Sequence, residues 1–266
     1  MNRKGECWKE IFLDTIVNKE DKYEYDPSTI GIFSDESNLY LTSTWYGNID
    51  TLDYIEQVKY HYSINHRNPF ILKFNFLNNQ YQFGADSLRY LFVEEGNFFL
   101  SLKNYSLIEN FLFVANIFSN KILVLDTKTL TIEKELFIYS KYTKIDFEPI
   151  PITLENCGAV YEDKINKNIR TKGSINKFYF DPEKKMFYVI CLHDTPENND
   201  DWIVEQRAFS IIIYDSDFNK IDEQAFPANK YNPYVTIMTS KGLLISTNKD
   251  EADDYENAKF TLFKLQ

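Results

Sequence analysis

All three histidines of the chain, His61, His66 and His193, fall in polar stretches that separate apolar runs. Tyr54, Tyr60, Tyr62 and Arg67 stand around the first two, and Asp194, Trp202, Glu205 and Arg207 around the third. Aromatic and guanidinium groups are the usual anchors of recognition surfaces. Tyr54, Tyr62, His66, Arg67, His193, Asp194, Trp202 and Arg207 therefore form the candidate binding set. Metal chemistry needs ligands at fixed spacing, and His193, Asp194 and the acidic run Asp250 to Glu256 have none, so no metal is expected. Cys7, Cys157 and Cys191 lie far apart without a C-x-x-C pair. At least one thiol is then unpaired, and neither a disulfide framework nor a zinc site is indicated. A nucleophile elbow of the G-x-S-x-G kind is missing, as is a glycine-rich phosphate loop. A pair of carboxylates could be drawn from any of 40 Asp and Glu residues, so the class points to no pair in particular. No catalytic residue and no cofactor are assigned.

The elements that must position these residues are strands. In Ser210 to Glu223, Ile211, Ile212, Ile213 and Tyr214 favour extended backbone, and as a continuous apolar run they predict a strand buried on both faces. Asp215, Ser216, Asp217 and Asn219 follow with turn chemistry. A polar strand, Ile221 to Phe226, completes the hairpin. Copies begin at Lys121 (KILVLDTKTLTIEKE) and Phe70 (FILKFNFLNNQYQ). A weaker copy is read at Ala159 to Lys167, where Tyr161, Asn166 and Lys167 align with Tyr214, Asn219 and Lys220. A truncated one closes the chain from Lys259. Spacings of roughly 36 to 53 residues are those of propeller blades. The last copy lacks its outer strand, while Lys9 to Leu13 matches Lys134 to Ile138 by residue class. The expectation is an all-β chain forming one domain, 1–266: a β-propeller of four-stranded blades, with five blades legible. Its last blade would be completed by an N-terminal strand, Trp8 to Leu13 beside Phe260 to Leu265.

Further strands are read at Thr29 to Ser34, Asn38 to Tyr46, Arg89 to Val93, Asn97 to Leu102 and Asn110 to Phe118, with a turn near Ser106. A second hairpin runs from Phe178 to Ile190, and a last inner pair comprises Tyr234 to Met238 and Leu243 to Thr247. A short helix is predicted from the spacing of Leu52, Ile55, Val58 and Tyr62. Pro149 and Pro151 demote the segment around Ile150 to an edge or loop. Polar insertions at Gly47 to Asn68, Leu192 to Ala208 and Asn248 to Ala258 all fall between the second and third strands of a blade. They would emerge on one rim, where binding on a rigid scaffold usually sits. The eight candidate residues lie in these insertions.

Lys and Arg total 29 against 40 Asp and Glu, a net charge of −11. No basic cluster offsets it, so nucleic acid is not an expected partner. No transmembrane run or signal peptide is read in the chain as given, so membrane insertion is not expected.

The runs Ile138 to Lys144, Phe180 to Tyr188, Ser210 to Glu223, Lys241 to Ser246 and Phe260 to Leu265 resemble an uncharacterised family of Bacteroides-type bacteria, domain of unknown function 4221. The resemblance covers mainly Tyr139 to Gln266. It implies a TolB-like propeller of six blades. Members tend to be longer and to carry a lipoprotein signal that is not read here, so the location is left open: without export for the chain as given, the cell envelope if a signal was removed or the start lies upstream. Where members commonly have an Arg after the Tyr of the second strand, this chain has Val189. The functional expectation is a non-catalytic binding or scaffold protein that holds a protein or a glycan on the rim. The alternatives are a propeller hydrolase acting on a carbohydrate or lactone at an axial pocket, and a purely structural module. Oligomeric state is left open by the sequence.

Overall fold

A computed structural model describes residues 23–24, 32–42, 44–45, 71–84, 97–98, 103–116, 119–145, 150–151, 159–195, 206–247 and 259–264. The predicted helix over Leu52 to Tyr62, the strand at Arg89 to Val93 and the proposed pairing of Trp8 to Leu13 lie outside them. The chain divides into two compact units, Met1–Tyr90 and Leu91–Gln266.

In the first unit β1 (Tyr23–Glu24), β2 (Ile32–Ser34), β3 (Asn38–Thr42), β4 (Thr44–Trp45), β5 (Ile71–Asn75) and β6 (Gln80–Gly84) follow in order. β2, β3, β5 and β6 make a four-stranded antiparallel sheet, and β1 pairs with β4. Tyr40, Leu41, Ile71, Leu72 and Phe74 are buried along it.

The second unit contains β7 (Asn97–Phe98), β8 (Lys103–Ile108), β9 (Phe111–Asn116), β10 (Lys121–Asp126), β11 (Ile132–Phe137), β12 (Ile150–Pro151), α1 (Ala159–Thr171), β13 (Ser174–Asp181), β14 (Met186–Leu192), β15 (Phe209–Tyr214), β16 (Lys220–Phe226), β17 (Tyr231–Thr239), β18 (Gly242–Thr247) and β19 (Phe260–Phe263). Consecutive strands build three antiparallel sheets, β8–β11, β13–β16 and β17–β19. β7 and β12 form a separate pair. Among the described residues the fold is therefore all-β apart from α1.

The middle sheet, β13–β16, has no solvated face along β14 and β15. Phe187, Val189, Cys191, Ile212 and Tyr214 join a core with Phe113, Ile122, Val124 and Leu136 of the preceding sheet. Tyr188, Ile190, Leu192, Phe209, Ile211 and Ile213 join a second core with Leu243 and Ile245 of the following one. Alternate side chains point to opposite faces, so two apolar neighbours demand an apolar residue at every position. The unbroken run at Ile211 to Tyr214 has that cause.

First strands of successive sheets lie side by side: β13 approaches both β8 and β17. Asn176 Nδ2 donates to Pro233 O at 2.9 Å, Lys177 Nζ to Tyr234 O at 2.6 Å, and Tyr179 OH to Thr236 O at 2.8 Å. Each bond links residues 57 apart in sequence. A constant offset means that β13 and β17 run parallel. Ser106 Oγ donates to Phe178 O at 3.1 Å, tying β8 to β13 in the same way.

Turns use the short polar side chains that end the strands. Asp215 Oδ1 accepts the N–H groups of Asp217 and Asn219, Asp126 Oδ1 those of Lys128 and Thr129, and Asn75 Oδ1 those of Leu77 and Asn78. Asp35 and Asp181 do the same after β2 and β13.

Two expectations are corrected. Ala159 to Lys167 is not a hairpin copy but the body of helix α1. Tyr161, Ile165 and Ile169 recur every fourth residue, the helical spacing, and the segment lacks the apolar run shared by the true copies. The second is the turn read near Ser106, through which β8 passes without interruption. The chain reverses instead at Glu109 and Asn110, where Glu109 takes a φ of 52°.

Candidate functional site

In a four-stranded meander the first-to-second and third-to-fourth turns leave by one edge, and the second-to-third connection leaves by the other. The chain also exits the fourth strand on that second edge. Among the described residues of the second unit, this connection edge carries 119–120, 138–145, 193–195, 206–208 and 227–230, whereas the opposite edge carries only tight turns. In the first unit the corresponding connection, between β3 and β5, is 43–70.

Of the eight candidates, His193, Asp194 and Arg207 are brought together at the connection edge. Tyr54, Tyr62, His66, Arg67 and Trp202 lie outside the described residues. Arg207 does not present its guanidinium to a partner as the sequence reading had it. It is 0% exposed, with Nε donating to His193 O at 2.8 Å, one terminal nitrogen to Ile169 O at 3.1 Å and the other to Lys172 O. Ile169 lies in the last turn of α1 and Lys172 directly follows it, where the last carbonyls have no intrahelical donors. Arg207 thus supplies both charge and hydrogen bonds to a helix C-terminus. Burial pushes its pKa down to about 10, which leaves it cationic at neutral pH.

Asp194 is engaged in the same way. Its carboxylate accepts Gly173 N at 2.7 Å and Thr143 Oγ1 at 3.1 Å, while its own N–H donates to the Thr143 hydroxyl. A Cβ on Gly173 would run into that hydroxyl and the Lys144 carbonyl, so only glycine permits the approach. His193 stacks on Tyr142, centroids 5.7 Å apart. Burial lowers its pKa, partly countered by Glu223, so the ring is neutral at pH 7. Its Nε2 is buried without a hydrogen-bond partner among the described residues.

A residue overlooked in the sequence, Glu223, ties this cluster down. It is 4% exposed and accepts Ser140 Oγ, Lys141 N at 2.8 Å, Ser210 Oγ at 3.0 Å and Lys220 Nζ at 2.7 Å. Burial opposes its ionisation, yet these donors outweigh burial and hold the carboxyl below its ordinary range. Lys220 Nζ also reaches Tyr139 O at 2.9 Å, and Ser140 Oγ accepts the N–H groups of Tyr142 and Thr143.

The segment from 139 to 143 is thereby tied down by its backbone at 139 and 141–143 and by the Ser140 side chain, and what it displays is aromatic. Phe137, Tyr139 and Tyr142 are 46%, 64% and 47% exposed. Phe137 and Tyr139 stack on each other, and Lys141 Nζ lies over the Tyr142 ring at 4.9 Å. The signal that could have found them is the sequence FIYSKY itself, three aromatics in six residues just after a fourth strand with no further strand to cover them.

The arrangement therefore has a polar layer engaged in structure, apart from His193 Nε2, beside an exposed aromatic one. Among the described residues no three His, Cys, Asp or Glu groups are placed to hold a metal. The Cys191 thiol is buried and its pKa is raised by that burial, so it is not a nucleophile at neutral pH. The first strands β8, β13 and β17 carry a single carboxylate, Asp181, which is taken up by the turn it caps.

No family model and no curated protein matches the chain. Among solved structures it is similar to a member of the duf4221 family from Bacteroides vulgatus, with a TM-score of 0.63 and 16% identity. That match covers 88% of this chain and 62% of the other, so this chain spans less than two thirds of its neighbour's length. At that identity the likeness speaks for the fold alone. A quinohemoprotein alcohol dehydrogenase from Comamonas testosteroni overlaps with a TM-score of 0.34 at 8% identity over 84% of this chain and 37% of that one, and carries no argument.

Proposed function

We propose that the three sheets of the second unit are consecutive blades of a β-propeller, and that the protein is a non-catalytic binding or scaffold module holding a protein or glycan partner against the connection edge. The blade reading is supported by the chain-order stacking of the sheets and by the parallel run of β13 and β17, because innermost strands of successive blades run alongside one another. The six blades expected from the duf4221 resemblance extend that reading. The binding reading is carried by one observation: Tyr139 and Tyr142 are exposed on a segment tied down by the buried Glu223, by Lys220 and by the Ser140 hydroxyl. Aromatic groups presented without conformational freedom lose little entropy on binding. In sequence, the connection between β14 and β15 contains a further aromatic of this kind, Trp202.

The test is Tyr139→Ala with Tyr142→Ala, assayed by affinity electrophoresis against a polysaccharide panel and by crosslinked partner capture. Binding at least about ten-fold weaker, about 1.4 kcal/mol, with an unchanged melting temperature is expected in whichever assay responds. Unchanged binding in that assay would refute the edge assignment.

A further inference from the structure

We infer that the wedge between sheets β8–β11 and β13–β16, at the tight-turn edge, is a binding site for a small uncharged aromatic molecule. A cavity of about 560 Å³ opens there. That is within the roughly 300–1,000 Å³ typical of small-molecule pockets. It lies at the opposite end of these strands from Tyr139 and Tyr142, and its occupancy does not depend on the proposed edge function.

The lining is phenyl rings. Phe113 and Phe187 are buried at the base, Phe180 and Phe218 are half-buried in the walls, and Phe111 stands at the lip, 39% exposed. Phe218 packs 4.3 Å from Phe187 and 6.1 Å from Phe113, centroid to centroid, so the rings form a continuous surface. Carbon atoms facing a void forfeit dispersion contacts that a filling group would restore. Phenyl faces and edges complement a planar arene through offset or edge-on packing.

The mouth specifies charge. Glu109, Glu133, Lys134 and Lys185 surround it, two of each sign, so neither an anion nor a cation is preferred. Lys134 Nζ already lies over the Phe218 ring at 5.9 Å. The mouth is also built at a conformational cost: Glu109, Lys185 and Phe218 are three of the six non-glycine residues at positive φ among those described. Left-handed backbone is strained for a residue that carries a side chain. Phe218, at a φ of 66°, lines the cavity with its ring.

The experiment is a fluorescence titration with N-phenyl-1-naphthylamine, an uncharged probe of this size, beside its anionic counterpart 1-anilinonaphthalene-8-sulfonate. Saturable one-site binding of the neutral probe with Kd on the order of 10 µM is expected, with the anion at least ten-fold weaker. Val124→Trp, which fills the base, should weaken the neutral probe at least ten-fold. Ile108→Trp, at a half-buried wall position that tolerates repacking, should do the same and serves if the first variant misfolds. Tyr139→Ala with Tyr142→Ala should leave the titration unchanged. Absence of saturable binding, or filled variants that bind like the native chain, would overturn the site; equal affinity for the anion would overturn the uncharged class.

Discussion

Glu223 shows how one buried carboxylate can organise an exposed segment. Its four donors come from Ser140, Lys141, Ser210 and Lys220, so it links the aromatic segment to the middle sheet. Its carboxyl ionises more readily folded than unfolded, so its contribution is fully present above the unfolded pKa and is lost as pH falls through the lower folded value. Glu223→Gln should therefore cost about 2 kcal/mol at pH 7 and progressively less below pH 4, in urea melts followed across that range. A penalty constant with pH would mean that the charge contributes nothing. This role is not legible from residue type, since Glu223 sits in an alternating polar strand where solvent exposure is the ordinary expectation. Arg207 misled for a related reason: a guanidinium in a polar connection reads as an outward anchor until the helix end that it serves is known.

That helix end belongs to the scale of elements. α1 is an insertion between sheets, and its C-terminus is closed by Arg207 from one side and by Thr195 from the other, Thr195 N donating to Thr171 O at 2.8 Å and its hydroxyl to Arg170 O at 2.9 Å. Arg207→Ala strands the carbonyls of Ile169, Lys172 and His193 and should cost about 3 kcal/mol. Arg207→Lys should recover only part, because an ammonium cannot reach three carbonyls in the plane of a fork. Hydrogen exchange should show the loss concentrated at 168–173 and 193–195; uniform loosening would contradict a capping role. Hairpins were legible because strand periodicity and turn chemistry agree, as at Ile211 to Asn219, where the predicted self-bonding of Asp215 is what closes the turn. α1 was missed because matching Tyr, Asn and Lys at three positions outweighed the four-residue spacing of its apolar residues. Ser106 was misread for its type alone, since a hydroxyl that bonds a neighbouring sheet looks the same in sequence as one that makes a turn.

Across the second unit, the order of strands separates two edges with different constraints. Among the described residues five short turns lie at the ends opposite those from which the longer connections leave. Insertion lengths are what sequence offers for reading that difference. The cavity was not, because Phe113, Phe180, Phe187 and Phe218 read as ordinary core residues until sheet stacking leaves a gap between them. The most direct test of the edge account is a labelling comparison. With Cys7 and Cys157 changed to Ser and the buried Cys191 left in place, a single cysteine is introduced at Lys141 on the connection edge or at Lys184 on the turn edge. Each is then coupled to a bulky maleimide and assayed for partner or polysaccharide binding. The account predicts that the label at 141 abolishes binding and the label at 184 leaves it intact. Binding lost at 184 and kept at 141 would contradict it.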